Sequence, residues 1–139
     1  MSLDTPENRQ IFQLPIKIKE EHIDELGHVN NVVYVQWVQD AGAAHWSSFA
    51  TEEMKASCLW VALRHEIDYL GQTFLDDDII ARTWVGDVSG AKFDRFVEIY
   101  RPTDDKVLAK AKTVWCLLDA QTRRPKRVNE EIVKVLSET

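Results

Sequence analysis

The chain has 139 residues, of which 45% are hydrophobic and 29% are charged, and its formal net charge is −6 at pH 7. This length and composition are typical of one ordinary globular domain, so residues 1–139 are interpreted as a single domain. The acidic balance argues against nucleic acid or an anionic membrane surface as a partner, and no segment approaches the roughly 20 apolar residues that a membrane span needs.

The first predicted elements are a tail and a strand. Residues 1–10 are polar and are expected to form a flexible tail. In the next segment, IFQLPIKIKE, apolar side chains occupy alternate positions at Phe12, Leu14, Ile16 and Ile18. This alternation predicts a half-buried strand, and Pro15 places it near the edge of a sheet because proline cannot donate to a ladder.

A loop with the sequence DELGHVNN then leads into a long predicted helix, from about Val32 to Phe49. Four polar residues of this segment fall on one narrow stripe, at helical offsets of three, four and seven: Gln36, Gln39, Asp40 and Ser47. The rest of the circumference is mostly apolar, which is wider than the stripe of an ordinary surface helix. The pattern therefore predicts that other parts of the protein wrap around this helix.

From Leu59 onward the sequence alternates with period two. The strand-like segments are Leu59 to Tyr69, DIIARTWVGDV, FDRFVEIY and KVLAKAKTVWCLLD. The short turns between them favour antiparallel neighbours. Asn129 is expected to cap a short final helix at residues 129–137. This order predicts an α+β fold, in which an antiparallel sheet of about five or six strands curls around a long central helix.

The loop before the long helix carries a family motif. The pattern D-x-x-G-H-V-N-N-x-x-Y, which joins the first strand to the helix in 4-hydroxybenzoyl-CoA thioesterase-like proteins, is matched by Asp24, Gly27, His28, Val29, Asn30, Asn31 and Tyr34. The segments EIDYLG and KAKTVWCLLDAQTRRP also resemble later strands of that family, so the likeness covers residues 11–128. The chain thus resembles the hotdog-fold acyl-CoA thioesterases. The resemblance implies a hotdog fold, a homodimer or homotetramer, and hydrolysis of an acyl-CoA thioester without a separate cofactor, since coenzyme A belongs to the substrate.

The resemblance also implies roles for the loop residues. Asp24 is expected to act as nucleophile or as general base for water. The backbone N–H of Asn31, at the amino end of the helix, is expected to stabilise the oxyanion. His28 can act as a general base or orient water. Gly27, Asn30 and Tyr34 are expected to contact the substrate.

Each of these residues also has a structural interpretation. Asn30 is a good helix cap, and an aspartate in a loop, such as Asp24, is often only solvated. His28 can make a structural hydrogen bond, and Tyr34 can belong to the core. The sequence leaves these alternatives open.

A basic run, RRPKR at residues 123–127, is the remaining candidate for substrate binding. Such a run is usually a solvated turn. In a chain this acidic, it can instead receive the phosphates of coenzyme A through Arg123, Arg124 and Lys126.

No metal site is expected. His22, Asp24 and His28 are possible ligands, but their spacing is not a recognised zinc pattern. Cys58 and Cys116 are far apart and are expected to be buried thiols in a reducing compartment. Together with the polar amino terminus, they predict a cytoplasmic protein.

Two other classes of function stay open beside the thioesterase. Hotdog hydratases and dehydratases act on enoyl or hydroxyacyl thioesters, but their motif resembles D-x-N-P-x-H, with a proline that is absent here. The chain can also be a non-catalytic module that binds acyl thioesters. Release of a free thiol separates the three, because only the hydrolase produces it.

Overall fold

The structure is a computed structural model, and it describes residues 9–138. Residues 1–8, which make up most of the expected tail, and residue 139 lie outside the described residues. The last two residues of the expected tail are held against the rest of the chain. Arg9 donates a hydrogen bond to the carbonyl of Val85 at 3.1 Å, and the N–H of Gln10 donates to the carbonyl of Ser137 at 3.0 Å.

The described chain contains five strands and three α-helices. In chain order they are β1 (Phe12–Ile16), α1 (Asn31–Phe49), α2 (Glu52–Ser57), β2 (Cys58–Tyr69), β3 (Ile79–Ser89), β4 (Lys92–Arg101), β5 (Lys106–Asp119) and α3 (Glu130–Ser137). The strands form one antiparallel sheet in the order β1-β3-β4-β5-β2. Its two edges are therefore β1, which contains Pro15 as the sequence predicts, and β2.

Helix α1 lies against one face of this sheet. Its buried side chains include Tyr34, Trp37, Val38 and Ala41, and they pack into a core with inward-facing residues of β3, β4 and β5. The helix is covered on one side only within a single chain, because Val32 is 68% exposed and Phe49 is also exposed. The predicted wrapping is thus partial in the described residues of one chain.

Strand β2 contains a bulge that its sequence pattern does not reveal. The pairing with β5 shifts between Ala62 and Arg64, which leaves Leu63 as an extra residue. Trp60 contacts Trp46 of α1, and His65 lies 3.3 Å from the side-chain nitrogen of Gln39 of the same helix. Regular alternation would put Trp60 and His65, five positions apart, on opposite faces of the sheet. The bulge turns both of them toward the helix.

The carboxyl-terminal helix α3 closes the other end of the core. The side chain of Asn129 accepts a hydrogen bond from the N–H of Ile132 at 2.9 Å, which is the cap expected from the sequence. Ile132 and Leu136 are buried against Val85 and Leu117. Among the described residues, no helix is both long enough and apolar enough to cross a membrane.

Candidate active site

The motif loop folds into a tight turn just before α1. The carboxylate of Asp24 accepts the N–H of Leu26 at 2.9 Å, and its backbone carbonyl accepts the N–H of Gly27 at 3.0 Å. The N–H of Asp24 donates to the carbonyl of His28 at 2.9 Å. Gly27 has a φ of +87°, which a side chain would strain, so the glycine of the motif is required by the turn.

The amino end of α1 begins directly after this turn. Asn30 caps the helix, because its side chain accepts the N–H of Val32 at 3.1 Å. Asn31 is the first helical residue and is exposed, and no described residue accepts a hydrogen bond from its N–H. The first N–H groups of a helix lack partners within it and carry the positive end of its dipole. A free donor with partial positive charge therefore lies in the segment next to the Asp24 turn.

The other two motif side chains lie deeper. His28 is half-buried, with its Nδ1 atom 3.4 Å from the carbonyl oxygen of Val29. Tyr34 is fully buried, and its hydroxyl lies 2.6 Å from Oγ1 of Thr73 and 3.4 Å from the carbonyl oxygen of Gly71. Burial raises the pKa of Tyr34 above its usual value. Tyr34 thus belongs to the core of the chain rather than to a surface that a substrate could contact.

The basic run forms the turn between β5 and α3. Asp119 holds this turn, since its carboxylate accepts the N–H groups of Gln121 and Thr122 at 2.9 and 3.0 Å, and these bonds lower its pKa. The side chains of Arg123 and Arg124 are exposed, and Lys126 is half-buried. All three could meet a ligand from solvent.

This basic turn and the Asp24 loop lie at opposite ends of β2. The turn is bonded to the start of the strand, where the N–H of Ala120 donates to the carbonyl of Ser57 at 3.0 Å. The loop lies at the strand's other end, where the hydroxyl of Tyr69 donates to the carbonyl of Asn31 at 3.2 Å. A strand of 12 residues spans roughly 36 Å. A single chain therefore does not bring the two predicted parts of the site together.

A cavity of about 470 Å³ lies along α1 between this helix and the sheet. Its lining includes Gln36, Gln39, Asp40, Trp60, Arg95 and Trp115. Three of the four residues of the predicted polar stripe thus face this cavity, while Ser47 is exposed to solvent. No residue of the Asp24–Tyr34 motif lines it. The polar stripe on an otherwise apolar helix was the one sequence signal that pointed to this place.

Behind the cavity lies a polar cluster that the sequence analysis missed. Nη1 of Arg95 donates to Oγ1 of Thr83 and to Nδ1 of His45, each at 2.9 Å. Burial, together with the neighbouring guanidinium, lowers the pKa of His45 to about 3, so its ring is neutral at pH 7. Its Nδ1 is then an acceptor, and its Nε2 donates to the side-chain oxygen of Gln10.

Metal ligation has no support in the part of the chain that the structure describes. No group of three or more His, Cys, Asp or Glu side chains there could hold a metal ion. Cys58 and Cys116 are both buried and free.

The sequence matches the profile of the thioesterase-like superfamily over residues 18–136. The chain belongs to this superfamily. No curated protein sequence matches the chain.

Solved structures show the same architecture at low sequence identity. The 1,4-dihydroxy-2-naphthoyl-CoA thioesterase of Synechocystis aligns with a TM-score of 0.78 and 15% identity, over 91% of this chain and 95% of that one. A Thermus thermophilus thioesterase, solved with coenzyme A and zinc, aligns at 0.79 and 20%, over 94% of each chain. A Staphylococcus aureus protein solved with CoA aligns at 0.78 and 16%, over 95% of this chain and 85% of that one.

These findings confirm two predictions made from the loop motif. The five-stranded antiparallel sheet packed on a long helix is the hotdog fold, and the chain is a hotdog-fold thioesterase of the 4-hydroxybenzoyl-CoA thioesterase-like kind. By class it is a thioester hydrolase.

Proposed function

We propose that the chain hydrolyses an acyl-CoA thioester to a free acid and coenzyme A, and that Asp24 and the amino end of α1 carry out the chemistry. The observation that supports this most is the Asp24 turn leading into a helix whose first N–H, at Asn31, is free among the described residues. Two of the structural relatives were solved with coenzyme A bound, which supports the choice of thiol.

The reaction needs a negative group that attacks and a donor that receives negative charge. Asp24 either attacks the thioester carbon and forms an anhydride that water then cleaves, or removes a proton from the attacking water. The carbonyl oxygen gains negative charge in either route, and the Asn31 N–H and the helix dipole stabilise it. Overall, water supplies a hydroxyl to the acyl carbon and a proton to the sulfur, and the carbon–sulfur bond breaks. His28 orients the water.

The complete site is proposed to form across a homodimer. Strand β2 is an edge strand, and its exposed apolar side chains, Leu59, Val61 and Leu63, are suited to burial in an interface. Antiparallel pairing of two β2 strands about a two-fold axis sets the start of one strand beside the end of the other. The partner's basic turn then lies near this chain's Asp24 loop, whereas within a single chain the basic turn and the Asp24 loop lie at opposite ends of β2. Arg123, Arg124 and Lys126 would there receive coenzyme A phosphates.

A thiol-release assay on short, long, branched and aryl acyl-CoAs tests the proposal. Asp24→Asn keeps the shape of the turn but removes the negative charge, so we expect kcat to fall at least about a hundredfold with little change in melting temperature. Glu25→Gln is the matched control, because Glu25 is an exposed carboxylate of the same loop, next to Asp24, and does not line the cavity. A larger loss in the Glu25 variant, or near-normal turnover in the Asp24 variant, would overturn the assignment. Enoyl-CoA conversion without thiol release would indicate a hydratase instead.

A further inference from the structure

The cavity beside α1 contains an unusual group for an apolar pocket. Arg95 of β4 lines it, and this side chain is only 5% exposed. Both of its hydrogen bonds to described residues use Nη1 and lead to His45 and Thr83, neither of which lines the cavity. No described residue accepts a bond from Nε or Nη2. Arg95 therefore keeps unused donors at the wall of the cavity.

The positive charge of Arg95 has no partner carboxylate among the described residues. Burial lowers its pKa to about 10, which still leaves the guanidinium charged at pH 7. His45 cannot neutralise it, because a histidine ring is either neutral or positive, and its lowered pKa keeps it neutral at pH 7. A buried charge without a counter-ion is costly, so such a site favours a ligand that supplies one.

Two acidic residues belong to the cavity lining, and the carboxylates of both interact with side chains other than Arg95. Asp40 is exposed, and its carboxylate accepts a hydrogen bond from Gln36 at 2.8 Å. Asp94 precedes Arg95 in β4, so its side chain points to the opposite face of the sheet, where its carboxylate lies 3.8 Å from Nζ of Lys112. Arg95 is thus the one cationic residue among the described residues that line the cavity, and neither carboxylate of the lining forms an ion pair with it.

The walls around Arg95 are aromatic. Trp60 lies between Trp46 and Phe93, with ring centroids 5.5 and 6.3 Å away. A guanidinium group can only donate hydrogen bonds. An occupant with an acceptor oxygen beside Arg95 and an apolar part against the aromatic rings therefore fits this cavity better than a plain hydrocarbon does.

We propose that the cavity receives the acyl part of the substrate and that Arg95 binds a carboxylate at the end of the acyl group remote from the thioester. The substrate class is then a half-thioester of a dicarboxylic acid, with an apolar middle section held between α1 and the tryptophans. A planar guanidinium matches a carboxylate with two parallel hydrogen bonds. This inference rests on the proposed thioesterase function and specifies its substrate.

The test compares acyl-CoA pairs of equal length that end in a carboxylate or a methyl group: adipoyl and hexanoyl, suberoyl and octanoyl, sebacoyl and decanoyl. We expect kcat/KM to be at least about tenfold higher for the carboxylate member of the preferred length, because a site built to pair a polar group rejects the analogue that lacks it. Arg95→Met should abolish this preference by lowering kcat/KM for the carboxylate-ended members toward that of their methyl-ended partners. Arg95→Lys should retain part of it.

A second pair of variants leaves Arg95 in place, so that the test does not depend on how well its substitutions fold. Ala43 lines the cavity, and Ala43→Asp adds a negative charge there, whereas Ala43→Asn adds nearly the same volume without charge. We expect the aspartate variant alone to lose the preference for carboxylate-ended substrates. Equal kcat/KM for both members of every pair in the wild type, or equal losses for both in Arg95→Met, would overturn the proposal.

A binding measurement separates this proposal from the thioesterase function. Octanoate and uncharged octanamide serve as probes, and quenching of tryptophan fluorescence reports occupancy because three tryptophans line the cavity. We expect octanoate to bind the wild type and to lose affinity at least about tenfold in Arg95→Met, with octanamide binding weakly to both. This result without any thiol release would refute the proposed reaction and still support the carboxylate site. Equal binding of both probes would refute the site.

Discussion

Tyr34 and Thr73 join the beginning of α1 to the segment after β2 through a buried pair of hydroxyl groups 2.6 Å apart. The segment also accepts the N–H of Val29, the motif residue before the helix cap, through the carbonyl of Thr73 at 2.8 Å. Side chain and backbone thus fix the helix end on the same short segment. The geometry of the proposed oxyanion donor depends on this attachment.

Removing the Tyr34 hydroxyl should therefore reduce stability. We expect Tyr34→Phe to lower the free energy of unfolding by about 1–2 kcal/mol, because Thr73 loses a buried partner. Tyr69→Phe is the matched control, since Tyr69 is exposed and its hydroxyl bonds, among the described residues, only to the Asn31 carbonyl. It should cost less than about 0.5 kcal/mol. Urea denaturation measures both changes. If Tyr34→Phe left the stability unchanged but raised KM, Tyr34 would be a substrate contact and the structural role would be wrong.

His45 should make the stability of the protein sensitive to acid. Its pKa is about 3 in the folded chain and about 6.5 when unfolded, so the unfolded state binds more protons between these values. The contribution of the neutral His45 ring to the free energy of unfolding is fully present above pH 6.5 and is lost as the pH falls toward 3. We expect the wild type to lose about 1–2 kcal/mol between pH 7 and pH 5 relative to His45→Gln, which does not titrate. Parallel stability curves for the two proteins would contradict this prediction.

At the scale of elements, the strands, helices and caps that depend on residues close together in the sequence were predicted correctly. The alternation around Pro15 predicted the edge strand β1, the helical spacing of four polar residues predicted α1, and Asn129 predicted the cap of α3. The bulge at Leu63 was missed because the residues around it alternate without interruption, and only the pairing with β5 reveals the shift. Pairing is a tertiary property that a single segment does not encode.

The same distinction applies to the candidate site. The Asp24 loop was found because its residues are consecutive and match a motif. The cavity group Arg95 was missed because its partners His45 and Thr83 come from other elements, 50 and 12 positions away. Nothing next to Arg95 in the sequence distinguishes it from the solvent-facing arginine expected in an alternating strand.

The basic turn between β5 and α3 should bind substrate without taking part in chemistry. Neutralising it with Arg123→Asn, Arg124→Gln and Lys126→Gln should raise KM while kcat stays nearly constant, because uniform binding is lost. Asparagine is chosen at position 123 because Arg123 has a φ of +62°, which asparagine tolerates well. The difference should shrink at high salt as exposed charges are screened.

The control for this turn removes three exposed charges that lie outside it and outside the β2 edge, at Lys17, Lys92 and Lys134. It should leave KM within about twofold of the wild type, since none of these side chains belongs to the proposed phosphate site. If the turn variant had the same KM as the wild type at low salt, the basic run would be an ordinary solvated turn that does not bind substrate.

At the scale of the whole molecule, the position of β2 determines what a second chain can add. The Asp24 loop lies at the end of this strand, whereas the basic turn and the cavity residue Trp60 lie near its start. A two-fold axis through β2 exchanges these ends, so each loop would serve the partner's cavity. We therefore expect sedimentation to show at least a dimer at micromolar concentration. Lysine in place of both Val61 and Leu63 should produce inactive monomers, because charged edges resist pairing.

Mixed dimers test directly whether the site is shared between chains. Asp24→Asn removes the proposed catalytic group, and Ala43→Trp, which fills the cavity, removes the acyl site, so each homodimer should be inactive. Random mixing should restore about a quarter of wild-type turnover, because half of the dimers are mixed and each of these has one intact site of two. If the loop and the cavity of the same chain worked together, both sites of every mixed dimer would be defective. The mixture would then be as inactive as its parents, and the shared site would be wrong.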